Sequence, residues 1–179
     1  MQQPNQTTKY VSCGTVGEVP IVVRITEIDW RKKKNEVLRY CINLLDDNQD
    51  SNIVILHDNN LPSSKDVVAV LTTITNRNII LGPDSAKMFS DVKWLNGEKN
   101  DQIIVTTEKD FVGCEASNAI YLTFNDDGFI NALMKRIPNL ICIQVLQGLN
   151  TLGNIYNLTR FAEIAEIKGI KEDNTFYSL

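Results

Sequence analysis

Residues 102–124 read QIIVTTEKDFVGCEASNAIYLTF. Two short apolar runs, Gln102–Thr106 and Ala119–Phe124, enclose a polar stretch that turns at Gly113. Each run is continuous and each ends in or near threonine, as expected of a strand covered on both faces. A sheet covered on both faces needs helices between its strands, so the flanking sequence should alternate.

It does. Upstream, Ile53–Leu56 is a second run of this kind, and Val19–Ile28 (VPIVVRITEI) begins after a glycine and reads as a strand. Between them, apolar residues at 30, 37, 38, 41, 42, 44 and 45 form one helical stripe from Trp30 to Leu45, with Asp29 as its N-cap. Pro62-Ser63-Ser64 opens a helix to about Thr75, capped by Ser63 or Ser64, with Val67, Val68, Val70, Leu71 and Ile74 inward. Asn78–Leu81 is a strand closed by Gly82-Pro83. Downstream, Asp126-Asp127-Gly128 caps a helix whose inward face is Phe129, Ile130, Leu133, Met134 and Ile137, and Pro138 stops it. Leu140–Leu146 is the last strong strand, followed by a helix from about Leu152 to Ile167. Residues 84–100 carry no clear period. The expected fold is α/β, with a mainly parallel sheet and helices on both faces: residues 1–18 form an irregular arm, and 19–179 a single domain.

Composition sets outer bounds. The chain has 179 residues, 43% of them hydrophobic, which is ordinary for one globular domain. A net charge of −4 and a pI near 5.0 run against a free-standing nucleic-acid binder. The basic run Arg31-Lys32-Lys33-Lys34 reads as a solvated helix face. Cys13, Cys41, Cys114 and Cys142 lie far apart without a C-x-x-C pair, which suggests free thiols and a cytoplasmic setting. No leader-like segment and no apolar run of membrane length is present, so no membrane contact is expected.

Loops at the carboxyl ends of parallel strands are where a ligand would bind. Gly148 and Gly153 have P-loop spacing after a strand, but Asn154 and Ile155 stand where lysine and a hydroxyl residue are needed. Asp46, Asn48 and Asp50 have calcium-loop spacing, but Ser51 and His57 occupy the glycine and glutamate positions. His57 is the only histidine and sits at a strand's carboxyl end, followed by Asp58; a nucleophile for it cannot be placed from sequence. Cys114 has acidic neighbours, Asp110 and Glu115, which do not favour a thiolate. Packing is the expected role of both His57 and Cys114. Catalysis through either, in a small α/β hydrolase or transferase, is the remaining alternative.

The stretch from Thr106 to Ser117 with its following strand resembles the fifth motif of UvrD/Rep-type helicases, T-x-x-x-x-K-G-L-E-x-x-x-V, in their second RecA-like lobe. Asn52–Asn60 is similar to that lobe's fourth motif, and Phe129–Arg136 with the strand after it to the sixth, Y-V-A-L-T-R-A. The phrase Phe-x-Gly-Cys-Glu-Ala-Ser is also similar to that of invertebrate multidomain proteins built on this lobe. Residues 20–147 are covered by the likeness.

The resemblance implies a P-loop-NTPase-like, RecA-like fold lacking a Walker A motif. It also implies a nucleotide half-site at Gly113, Glu115, Lys135 and Arg136, and nucleic-acid contact at Thr106 and Thr107. Lys135 stands at the position of the sixth-motif arginine, with Arg136 one residue late, a rotation of about 100° on a helix. No Walker A or Walker B signature occurs in the chain, so ATP would be held only with a partner lobe. The leading expectation is therefore a non-catalytic binding or interaction module, a fragment of a larger chain, working with another domain or protein. A second lobe that completes the ATP site of a nucleic-acid helicase is its competitor.

Overall fold

The computed structural model describes residues 19–46, 52–59, 62–81, 102–112, 114, 116–125, 128, 131, 132, 135, 137–147 and 171–177. Seven strands form one sheet: β1 (Ile21–Thr26), β2 (Ile53–His57), β3 (Asn78–Leu81), β4 (Gln102–Thr107), β5 (Asn118–Thr123), β6 (Asn139–Leu146) and β7 (Lys171–Asp173). Their order is β3-β4-β2-β5-β6-β1-β7, and every pairing is parallel. The strands formed by four of the apolar runs, β4, β2, β5 and β6, lie side by side within it.

Helix α1 (Glu27–Asp46) follows β1 without a loop, and α2 (Ser64–Ile74) follows β2. The expected cap of α1 is corrected: Asp29 lies inside the first turn, and its amide donates to Thr26 Oγ1 (3.2 Å). Thr26 is thus the capping residue, and the strand expected to reach Ile28 stops there because its last hydroxyl starts the helix. Glu27 and Asp29 still favour this end through the helix dipole. The α2 cap is as read, with Ser63 Oγ accepting from the Asp66 amide (3.2 Å). Arg31 to Lys34 are exposed, on the solvated face of α1.

The strands' period of two divides the core into two layers. Ile53, Ile55, Ile120, Leu122, Ile141 and Ile143 pack with the buried stripes of α1 and α2. Val54, Leu56, Ala119, Tyr121, Leu140 and Cys142 pack on the opposite face with Phe111 and Ala132. The topology explains the division. From β1 through β2 to β3 the chain moves one way across the sheet, and from β3 to β7 it moves back. Crossovers of one hand then lie on opposite faces before and after the reversal. The result is an α/β fold of Rossmann-like type.

Strand β7 was not anticipated. Its sequence, Lys171-Glu172-Asp173, carries no apolar signal, because an edge strand needs only one partner. It is fixed by side chains: Arg24 pairs with Glu172 and lies over the Tyr177 ring at 4.5 Å, while the Tyr40 hydroxyl donates to Asp173 (2.6 Å). Tyr40 also meets Phe176 edge to face, with centroids 5.4 Å apart. The expected arm, the 84–100 segment, the Gly148–Gly153 loop and the 152–167 helix lie outside the described residues. So do Phe129, Ile130, Leu133 and Met134 of the helix read after β5; Gly128, Asn131 and Ala132 of that stretch are helical.

Candidate functional site at the carboxyl edge

The chain leaves β2 toward α2 on one face, whereas its neighbours β4 and β5 lead toward the other. Loops therefore part at the carboxyl end of β2, the place where open α/β sheets bind ligands. The register brings a level of polar residues together there. Thr123 is opposite Gln144, Gln144 is opposite Arg24, and Asp58 and Glu108 follow the paired His57 and Thr107. Two residues earlier on the same face the level is Leu56, Tyr121, Cys142 and Val22, all buried and apolar apart from Thr106 on β4. The layer thus changes abruptly from apolar to polar in one step of the pleat.

Both ends of this row are charge-compensated. Glu108 accepts from the Tyr121 hydroxyl (2.8 Å) and faces Lys135 Nζ at 3.6 Å, while Arg24 pairs with Glu172. The middle is not. Asp58 Oδ2 accepts from the Phe124 amide (2.7 Å) and the Thr123 hydroxyl (3.1 Å), but buried Oδ1 has no hydrogen-bond partner among the described residues. Gln144 repeats the pattern: Nε2 donates to the Asn125 carbonyl (2.6 Å), and buried Oε1 has no partner among the described residues. Burial pushes the Asp58 carboxyl above its usual range, against the opposing pull of the Phe124 amide, the Thr123 hydroxyl and the Asn125 amide. Gly128 closes the middle of the row. A Cβ there would stand 1.9 Å from Thr123 Oγ1, so only glycine fits against the threonine that holds Asp58.

On the α2 face, at the same edge, His57 is buried between two partners. One ring nitrogen, Nδ1, lies 2.7 Å from the Asp58 carbonyl oxygen, and the other, Nε2, lies 2.6 Å from Ser64 Oγ. A carbonyl only accepts, so Nδ1 carries the proton, and in the neutral ring Nε2 accepts from the serine hydroxyl.

The residues singled out by sequence divide unevenly. Thr106 is buried within β4, and Thr107 Oγ1 accepts from the Asp110 amide (3.2 Å), which fixes the turn after the strand. Lys135 meets Glu108, so the segments resembling the fifth and sixth motifs touch each other. Gly113, Glu115 and Arg136 lie outside the described residues. Cys114 is half-buried, and burial pushes its thiol up, away from the thiolate form. Cys41 and Cys142 are free and buried, and burial raises both thiols as well. Of the calcium-like loop, Asp46 instead pairs with Arg77.

Sequence reasoning missed Asp58, Gln144 and Glu108 as site residues, and Ser64 as the partner of His57. A signal for Asp58 and Gln144 was present. In four apolar strands a polar residue stands two positions after a core residue of one face: Val22–Arg24, Leu56–Asp58, Tyr121–Thr123 and Cys142–Gln144. No such pattern announces Ser64, which approaches His57 only through the fold.

Among the described residues no group of three or more histidine, cysteine or acidic side chains is placed to hold a metal, and no helix is long and apolar enough to cross a membrane. No protein-family model matches the chain, and no curated protein matches it.

Proposed function

We propose that the chain is a ligand-binding module on a RecA-like lobe, acting with another domain or protein. Its binding edge is the polar row of Asp58, Thr123 and Gln144. One observation carries this reading: Asp58 is buried with one oxygen unpartnered among the described residues, at the point where the loops part. Burying a carboxylate without full hydrogen bonding costs stability, and such a cost persists where a ligand uses the group. Open acceptors at Asp58 and Gln144 call for a ligand that brings donors, hydroxyl or amino groups, spread over two strand spacings, about 10 Å. Free thiols favour a cytoplasmic setting.

The likeness to the UvrD/Rep second lobe adds a candidate class, nucleosides and their phosphates. Completing an ATP site with a first lobe is the competing role. The contact between Glu108 and Lys135 supports the binding reading over that one, since it engages the lysine in an ion pair within the chain.

The test is calorimetry and thermal shift with adenosine, ribose and ATP on the wild type and on Asp58→Asn. A donor-rich ligand should raise the melting temperature of the wild type, with the effect lost in the variant, and ATP should bind no tighter than the nucleoside. Absence of any shift with all three probes would overturn the reading. Micromolar ATP affinity for this chain alone would favour the competing role.

A further inference from the structure

The geometry points to a second activity on the opposite face of the sheet: Ser64 is a nucleophile activated by His57, for acyl transfer from a small carboxylic ester. This goes beyond the binding row and does not rest on it.

A serine needs three things to attack a carbonyl: a base in contact with its hydroxyl, a group that orients the base, and donors where the oxyanion forms. Ser64 Oγ is 2.6 Å from Nε2, within the range for proton transfer. The Asp58 carbonyl, 2.7 Å from Nδ1, holds the ring in the tautomer whose Nε2 is the acceptor. The imidazole is itself buried, whereas Ser64 is half-buried at the first position of α2. Ser63 takes the amides of Asp66 and Val67. The amides of Ser64 and Lys65 are first-turn groups with no acceptor inside the helix, at the positive end of its dipole. Strand, connection and helix thus present a serine where a strand gives way to a helix N-terminus.

The chemistry balances with water as the only co-reactant. The Ser64 hydroxyl oxygen bonds to the ester carbon as its proton passes to Nε2. The ester C–O bond then breaks, and the same proton leaves with the departing alcohol. Water next attacks the acyl-serine, giving one proton to Nε2. The acyl–Oγ bond breaks, Oγ recovers that proton, and a carboxylic acid is released. The Nδ1 proton stays on the ring throughout, donated to the Asp58 carbonyl.

The experiment treats the full chain with a fluorophosphonate probe and maps the adduct by mass spectrometry, alongside release of p-nitrophenol from p-nitrophenyl acetate. A single adduct on Ser64, absent in Ser64→Ala, is the expected result. His57→Gln should slow its formation by at least about 100-fold, the usual range for a general base. Thermal melting of each variant reports that it folds. If His57→Gln does not fold, wild-type adduct mapping with Ser64→Ala decides the matter alone. A folded wild type that takes no adduct on Ser64, or a folded His57→Gln that labels at the wild-type rate, would overturn the proposal and leave the contact as a tether between β2 and α2.

Discussion

Two aspartates at two places in one sheet show opposite designs. Asp173, on the edge strand β7, receives the Tyr40 hydroxyl (2.6 Å), the Thr175 amide (3.0 Å) and the Thr175 hydroxyl (2.6 Å). Burial pushes its carboxyl up, yet these donors outweigh burial and hold it below the usual range. Asp58, beside the central strand β2, has hydrogen-bond donors on one oxygen only among the described residues, and burial keeps its carboxyl above that range. A carboxylate whose bonds are complete holds structure together. One left half-bonded in the middle of the sheet weakens it, and that cost marks the middle as the place kept for something else.

The strongest way to break the comparison is through Gly128. Its replacement by alanine drives a methyl group into Thr123, which is β-branched and cannot swing aside. Gly128→Ala should cost about 3 kcal/mol in denaturant unfolding, and adding Thr123→Ala should restore part of the loss. Equal stability of Gly128→Ala and wild type would show that Thr123 does not fix the row.

Asp173→Ala comes next. It removes three hydrogen bonds from a partly exposed carboxylate and should cost about 1–2 kcal/mol at neutral pH. A depressed folded pKa contributes stability above the unfolded value and loses it as pH falls through the folded one. The gap between wild type and variant should therefore narrow below about pH 4. A gap that persists at acid pH would mean that the Asp173 carboxyl holds the β7 seam independently of its charge.

Asp58→Asn should have the opposite sign. The amide nitrogen can occupy the position of open Oδ1 while the oxygen keeps the Phe124 and Thr123 donors, so the variant should gain about 1 kcal/mol at pH 7. A raised folded pKa contributes stability below the unfolded value and loses it as pH rises through the folded one, so this gain should fade on acidification. A variant less stable than wild type at neutral pH would remove the contrast between the two aspartates. The smallest effect belongs to Glu115→Ala, a loop position named by resemblance alone, which should stay within about 0.5 kcal/mol. A larger loss would make Glu115 a fixed part of the turn.

The sheet was legible because burial on both faces forces continuous apolar runs, and Ile53–Leu56, Gln102–Thr106, Ala119–Phe124 and Leu140–Leu146 are such runs. Edges escape that logic. Lys171-Glu172-Asp173 pairs through its backbone and is docked by side chains from β1 and α1 that no local pattern connects to it. The cap of α1 was misplaced because Thr26 also reads as the last β-branched residue of a strand, and both descriptions are true of it. The site was legible only in its location. Strand ends pointed to His57 and to the loop after β4, but the chemistry comes from register and crossover, which set Asp58 beside Thr123 and Ser64 beside His57.

Strand β7 has one more consequence. It occupies the flank of β1, a strand of β-branched residues whose amides and carbonyls on that side would otherwise stand open along Ile21, Val22 and Val23. An open flank of that kind is a template onto which another molecule's strand can zip. The polar tripeptide, pinned by Arg24 and Tyr40, covers that flank with a short, charged strand. If residues 171–177 were clipped away, the first symptom should be clumping of folded molecules rather than their unfolding.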